Sequence, residues 1–491
     1  MMAVRNFLLT LGAVSAAIAD NSNQPKLKTC LQYALTDSGR VAFAGDPFYQ
    51  VADVKRYNLN IPVTPAAVTF PTSSHQVAAI VKCAADNGYH VQAKSGGHSY
   101  ANYGLGGTDG AVIVDLKNLQ QFSMDNTSWH ATIGSGTLLG DVTQRLHDAG
   151  GRAMSHGTCP QVGSGGHFTI GGLGPTSRQF GAALDHIVEA EVVLANSSIV
   201  RASESENQDV FWAIKGAASG FGIVTEFTVR TEPEPGTAVK YEYTLKIGSS
   251  QERASLFKHW QAYISNPQLT RKLASTLTLL EDTLIITGTF FGTEEEYKAL
   301  DIGSQFPGVN GTAVVFQDWL GLVGDWAEEA ALKLGGGIAS NFYSKSTGWT
   351  SKNLMSNETI DSLFEYIDTA DKGTLIWFLL FDFQGGYTND IPTDATAYAH
   401  RDVLLWLQSY SINLLGSVSQ TQITFLDRVN KMITPNDHPY AAYPGYVDPL
   451  MANGAEAYWG SNLARLEEIK AEIDPDDVFR NPQSPMPTLR H

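Results

Sequence analysis

The chain has 491 residues, of which 43% are hydrophobic, 10% aromatic and 17% charged. That length exceeds one ordinary core, so two or three domains are expected. A formal charge of -17 argues against nucleic acid and anionic membrane surfaces as partners, because both would repel so acidic a protein.

Residues 1–20, MMAVRNFLLTLGAVSAAIAD, carry one basic residue (Arg5), an apolar run from Phe7, and Ala17 and Ala19 at A-x-A spacing. This pattern predicts a secretory signal over 1–19 and a secreted mature chain. No later stretch approaches the roughly 20 uninterrupted apolar residues of a membrane span. Sequons at Asn126, Asn196, Asn310 and Asn357 are glycan acceptors on the export route. An oxidising compartment would pair two of the cysteines, Cys30, Cys83 and Cys159. Spacing does not choose among the pairings. A Cys30–Cys83 staple between the mature N-terminus and a helix would leave Cys159, in a glycine-rich loop, for chemistry.

From about 62 to 232 short apolar strands alternate with helical segments. Ser73 or Ser74 caps a helix that stops near Asn87-Gly88. YHVQAK, AVIVDL and WHATIGSG read as strands, and GDVTQRLHDAGG as an amphipathic helix. Further strands follow at HIVEAEVVLA, SIVRAS and GIVTEFTVR, giving an α+β domain whose loops carry the glycines. RTEPEPG at 230–236 marks a boundary. Beyond it, VKYEYTLKI, STLTLLEDTLIITGTFFG and GTLIWFLLFDFQGG alternate with helical patterns, which predicts an antiparallel sheet with helices on one side. The tail NLARLEEIKAEIDPDDVFRNPQ is a helix with an Asp-Pro stop.

Two glycine loops stand out, SGGH at 95–98 and SHGTCPQVGSGGHFTIGG at 155–172. Successive N–H groups in such loops can form a nest for a pyrophosphate. GSGTLLG at 134–140 puts the last glycine of a Rossmann fingerprint one place late, and a Walker A sequence is absent. His147, His156, His167 and Cys159 lack H-x-x-x-H or C-x-x-C spacing, so no metal site is expected. GHSYA lacks the second glycine of a serine-hydrolase elbow. Each glycine loop instead carries a nucleophile, His98 in one and Cys159 in the other.

KSGGHSYANYG together with GTCPQVGSGGHFTIGG resembles the flavin domain of the berberine-bridge-enzyme-like branch of the vanillyl-alcohol-oxidase family. The resemblance continues through RQFGAALDHIVEAEVVLAN, DVFWAIKGAASGFGIVTEFTV and YWGSNLARLEEIKAEIDPDDVFRNPQS, with the middle more divergent. It implies a two-subdomain FAD-binding domain (20–235), a substrate domain (236–437) with an antiparallel sheet covered by helices, and a segment (438–491) returning to the FAD domain. It also implies FAD tethered through His98 and Cys159, with Ser95, Gly96, Gly97, Ser99, Gly163, Ser164, Gly165, Gly166 and His167 lining the cofactor. Ser164 falls at or near the position that governs oxygen access. His156 and His167 are given no chemistry of their own.

In PYAAYPGYVDP the resemblance makes Tyr446 the general base and Tyr443 a substrate contact, with Asp382 receiving the phenolic proton. YPGYVDP and YWGSNLARL are similar to the family's fungal oligosaccharide oxidases, which implies oxidation of a reducing-end sugar at C1, with oxygen as acceptor and peroxide as product. Tyr100 resembles their subsite tyrosine. Trp349, Trp377, Phe381, Gln384, Trp406, Gln408 and Tyr410 supply aromatics and amides suited to a sugar groove; of these Trp377, Gln384 and Gln408 are taken as substrate residues. A monomer is expected. The rivals are an oxidase or cyclase of a secondary metabolite, and a sugar-binding protein without catalysis.

Overall fold

The computed structural model describes residues 24–36, 38–334, 337–434 and 441–488; the expected signal segment lies outside them. The Ser73 hydroxyl caps helix Ser74–Asp86 by accepting the Gln76 N–H, and the chain leaves it through Gly88 at φ +73°. Val77, Ile80, Val81 and Ala84 share one buried face. That face packs on a four-stranded sheet ordered Arg40–Phe43, Ala67–Phe70, Val112–Asp115, Val91–Lys94. The first strand is antiparallel to its neighbour and the other pairs are parallel. Cys30 and Cys83 form a disulfide between this helix and Gln24–Ala34, and Cys159 is a free thiol.

A second, antiparallel sheet is ordered Phe122–Asp125, His130–Gly134, Ile223–Arg230, Ile187–Val193, Ile199–Ser203. The C-terminal segment closes on the first sheet: the Val91 N–H donates to the Val478 carbonyl. Lys470, with no exposed surface, donates to Asp474 and to the carbonyls of Gly220 and Phe479.

The third sheet has seven antiparallel strands, ordered Gly311–Phe316, Ala238–Lys246, Thr283–Phe290, Leu273–Leu279, Ile376–Phe383, Val403–Asn413, Asn341–Thr350. Helices Ser250–Ile264, Asn357–Thr369 and Gln420–Ile433 cover one face. Strand alternation divides Ile376–Phe383 between two environments. Trp377, Leu379 and Phe381 enter the core beneath the helices, whereas Phe378, Leu380 and Asp382 point the other way. Trp377 is therefore core rather than a substrate residue: its indole N–H donates to Glu281 at 2.7 Å. Trp349 joins the same core, donating to the Ile433 carbonyl. All four sequon asparagines are exposed.

Candidate functional site

A cavity of about 670 Å³ lies between the two glycine loops and the uncovered face of the third sheet. Strand Val91–Lys94 delivers the SGGH loop to it. The buried Lys94 ammonium fastens the strand end to Asp115, at 3.0 Å, and to the Val54 carbonyl. Gly97 then turns the chain at φ +77°. The second loop is held along residues 135–139: Ser164 N–H donates to the Thr137 carbonyl, Gly165 N–H to that of Ser135, and Leu139 N–H to that of Val162.

The loops meet backbone to backbone. A Cβ on Gly96 would lie 2.3 Å from the Gly163 nitrogen, and one on Gly163 would lie 2.1 Å from the Gly96 nitrogen. Neither position admits a side chain. His98 and Cys159 thereby line the same cavity, one from each loop. The His98 ring stacks on Tyr57, centroids 4.5 Å apart, and burial pulls its pKa down to about 4, so the imidazole is neutral at pH 7. Burial pushes the Cys159 thiol up.

His167 and His156 shape the loop. The Gly157 N–H donates to His167 Nε2 at 2.9 Å, and burial lowers His167 to about 3, keeping that nitrogen an acceptor. His156 bridges the Thr143 hydroxyl and the Gly157 carbonyl. Ser95 donates to the Ser135 carbonyl, and Ser99 accepts the Tyr103 N–H. Gly165 and Gly166 line the cavity; Ser164 does not. Its hydroxyl, without exposed surface, donates to the Gly134 carbonyl at 3.5 Å, so Ser164 cannot set access to the cavity. Val162, two residues before Ser164, lines the cavity.

Opposite the loops stands a tyrosine cluster. Tyr446 stacks on Tyr100 (5.7 Å, 16°) and meets Tyr443 edge-on at 4.9 Å. Burial, then the charge of Asp382, raises the Tyr446 pKa well above 10, so it is a phenol at neutral pH. Asp382 accepts the Thr276 hydroxyl at 2.9 Å, and burial pushes its carboxyl up to about 6. Gln408 donates to the Tyr100 hydroxyl at 2.6 Å. Gln384 lines the cavity with its side-chain oxygen buried and unpartnered. Such an acceptor is costly unless a ligand donates to it.

Tyr443 also lines the cavity. Its hydroxyl accepts the Gly172 N–H at 2.9 Å, tying the Tyr446 loop to the second glycine loop. Tyr443 is thus a support for Tyr446, with its hydroxyl already engaged. Tyr57, Thr276, Thr278, Phe378 and Leu380 also line the cavity. Sequence reading did not single them out; the alternation that buries Trp377 is the signal that identifies Phe378 and Leu380.

Residues 65–203 match the FAD binding domain family, and residues 442–485 match the berberine and berberine-like family. The chain is 40% identical over 463 residues to the FAD-linked oxidoreductase sorD of Penicillium rubens, covering 93% of this chain and 97% of that protein. It is 35% identical to the glucooligosaccharide oxidase of Sarocladium strictum, over 87% and 89% of the two chains. A solved glucooligosaccharide oxidase from Acremonium strictum, described as carrying a 6-S-cysteinyl, 8α-N1-histidyl FAD, superposes with a TM-score of 0.86. That structure is 31% identical, with 95% of this chain and 100% of its own covered.

Proposed function

The chain belongs to the berberine-bridge-enzyme-like family of FAD-linked oxidoreductases, and on that premise we propose that it is a secreted carbohydrate oxidase with a bicovalently attached flavin. In this reading it oxidises the C1 hydroxyl of a reducing-end sugar to the lactone and reduces dioxygen to hydrogen peroxide. The residues fit the cofactor. A side-chain-free cradle at Gly96 and Gly163 lies beside a neutral histidine, His98, and a free thiol, Cys159. His98 is assigned the bond to the 8α carbon and Cys159 the bond to C6 of the isoalloxazine. FAD supplies the two-electron acceptor; the protein's part is to place the donor carbon and move the proton.

The observation that carries the proposal is Tyr446 in the field of Asp382, in the cavity that also holds His98 and Cys159. A raised phenol pKa rules out a standing phenolate. Tyr446 therefore takes the substrate's hydroxyl proton as its own passes to the Asp382 carboxylate, which is ionised at neutral pH. The Gln384 side-chain oxygen accepts a neighbouring sugar hydroxyl. The hydroxyls of Thr278 and Thr287 line the cavity on one side of Asp382 and suit further sugar contacts.

The test is steady-state peroxide release with cello-, malto-, xylo- and chito-oligosaccharides. Turnover on one series supports the reading. No turnover on any sugar, by protein whose flavin is attached, would refute the sugar as donor and leave the flavin chemistry standing.

A further inference from the structure

The uncovered face of the third sheet is divided about Asp382. Register places Thr276 on one side of Asp382 and Trp406 on the other. Two residues back along the strand stands Leu380, between Thr278 and Gln408. Two further back, Phe378 pairs with Tyr410, and then Ile376 pairs with Ile412, which is itself beside Phe342. Away from Asp382 in this direction the wall becomes apolar: Phe342, Phe378, Leu380, Tyr410 and Ile412 form one cluster, and all five line the cavity.

Apart from the Thr278 hydroxyl beside Leu380, the polar side chains along this arm are already engaged. The Tyr410 hydroxyl donates to Tyr100, the Gln408 amide donates to Tyr100, and the Tyr57 hydroxyl accepts the Gly337 N–H. An oligosaccharide presents hydroxyls on every ring, and few would find partners here. The arm also leads toward an apolar rim. Leu375, Leu414 and Leu415 are 100%, 70% and 95% exposed at the ends of these strands, and Ile338, which lines the cavity, is 64% exposed. Of these, Ile338 is the solvent-facing apolar side chain at the cavity itself, where such exposure favours binding over packing.

We propose that this arm is a subsite for an aromatic or alkyl group, so that the substrate joins a hydroxylated reacting end to an apolar portion. The six-residue step from Asp382 back to Ile376 spans about 20 Å of strand, enough for an extended apolar chain. This rests on the flavin-oxidase reading of the cavity, and it narrows the donor: an unsubstituted sugar fills only the hydroxyl-lined side.

The test uses the purified holoprotein and the change in its flavin absorbance on titration with phenol, 4-hexylphenol and cellotriose. The hexyl tail should lower the half-saturating concentration at least tenfold relative to phenol. Leu380→Gln and Phe378→Asn should each abolish that gain, read as the ratio of the two half-saturating concentrations, with the flavin spectrum unchanged. Equal binding of phenol and 4-hexylphenol overturns the proposal, as does a gain that survives both substitutions. Yellow protein giving either of those results contradicts this proposal alone. Colourless protein overturns it together with the flavin reading.

Discussion

Lys345 Nζ lies 2.8 Å from Oδ2 of Asp448, a carboxylate with no exposed surface, two residues beyond Tyr446. The pair joins the substrate sheet, through strand Asn341–Thr350, to the loop that carries Tyr446. Asp448 also receives the Leu450 N–H on its other oxygen, and its own N–H donates to Tyr458. Tyr443 ties the same loop to Gly172. Tyr446 is thus placed from both sides by buried contacts that never touch the reacting atoms.

Lys345→Met leaves Asp448 buried without its cation, which costs about 3–5 kcal/mol. The expected outcome is a lower melting temperature and a kcat reduced roughly 10–100-fold with flavin still attached, since small misplacements of a base are expensive. Lys345→Arg should recover much of the rate. A variant with parental kcat would show that the ion pair does not position Tyr446.

Tyr446→Phe removes the hydroxyl alone. Turnover should fall by about 10²–10⁴-fold, the ordinary worth of a general base, with the flavin spectrum intact. Stopped-flow reduction of the flavin by substrate reads this directly.

In the proposed mechanism Asp382 should give the activity an acid limb. Its carboxyl is pushed up to about 6 by burial, so the proton acceptor is present above pH 6 and lost as pH falls through that value. kcat/KM should fall on that limb, and Asp382→Asn should be slow and flat across it. Stability runs the other way. The folded state holds this proton more tightly than the unfolded chain, whose aspartate titrates near about 3.9. The stabilisation is therefore complete below that value and lost as pH rises through about 6. At pH 7.5 Asp382→Asn should melt no lower than the parent.

Gly163→Ala sets a methyl group 2.1 Å from the Gly96 nitrogen and close to the Ser95 side chain. The two loops must separate, and His98 and Cys159 with them. The protein should be recovered with little covalent flavin, measured as the ratio of absorbance at 450 nm to that at 280 nm (about the usual flavin and protein bands). Gly236→Ala, away from the cavity and with nothing within 4 Å of its Cβ, is the control for a general folding defect.

Much of this was legible in the sequence. Helix Ser74–Asp86 announced itself through Ser73 and Gly88, and the glycine loops through their own composition. Cys30 and Cys83 pair as the staple that leaves Cys159 free. The substrate wall was harder to read. Trp377 and Phe381 drew attention as large aromatics, yet one residue along the strand exchanges core for cavity, and only register separates them from Phe378 and Leu380. Ser164, expected at or near the position that governs oxygen access, instead turns its hydroxyl inward to the Gly134 carbonyl. Lys345 and Asp448 are about 100 residues apart in the chain, and contacts between such distant positions leave no local pattern.

The central claim is that His98 and Cys159 both hold the flavin. Protein precipitated in acid and digested with trypsin should give a yellow pellet, with one flavin mass bridging the peptides that contain His98 and Cys159. Cys159→Ala should leave that mass on the His98 peptide alone. A colourless pellet with flavin in the supernatant, or unmodified His98 and Cys159 peptides, would contradict the account.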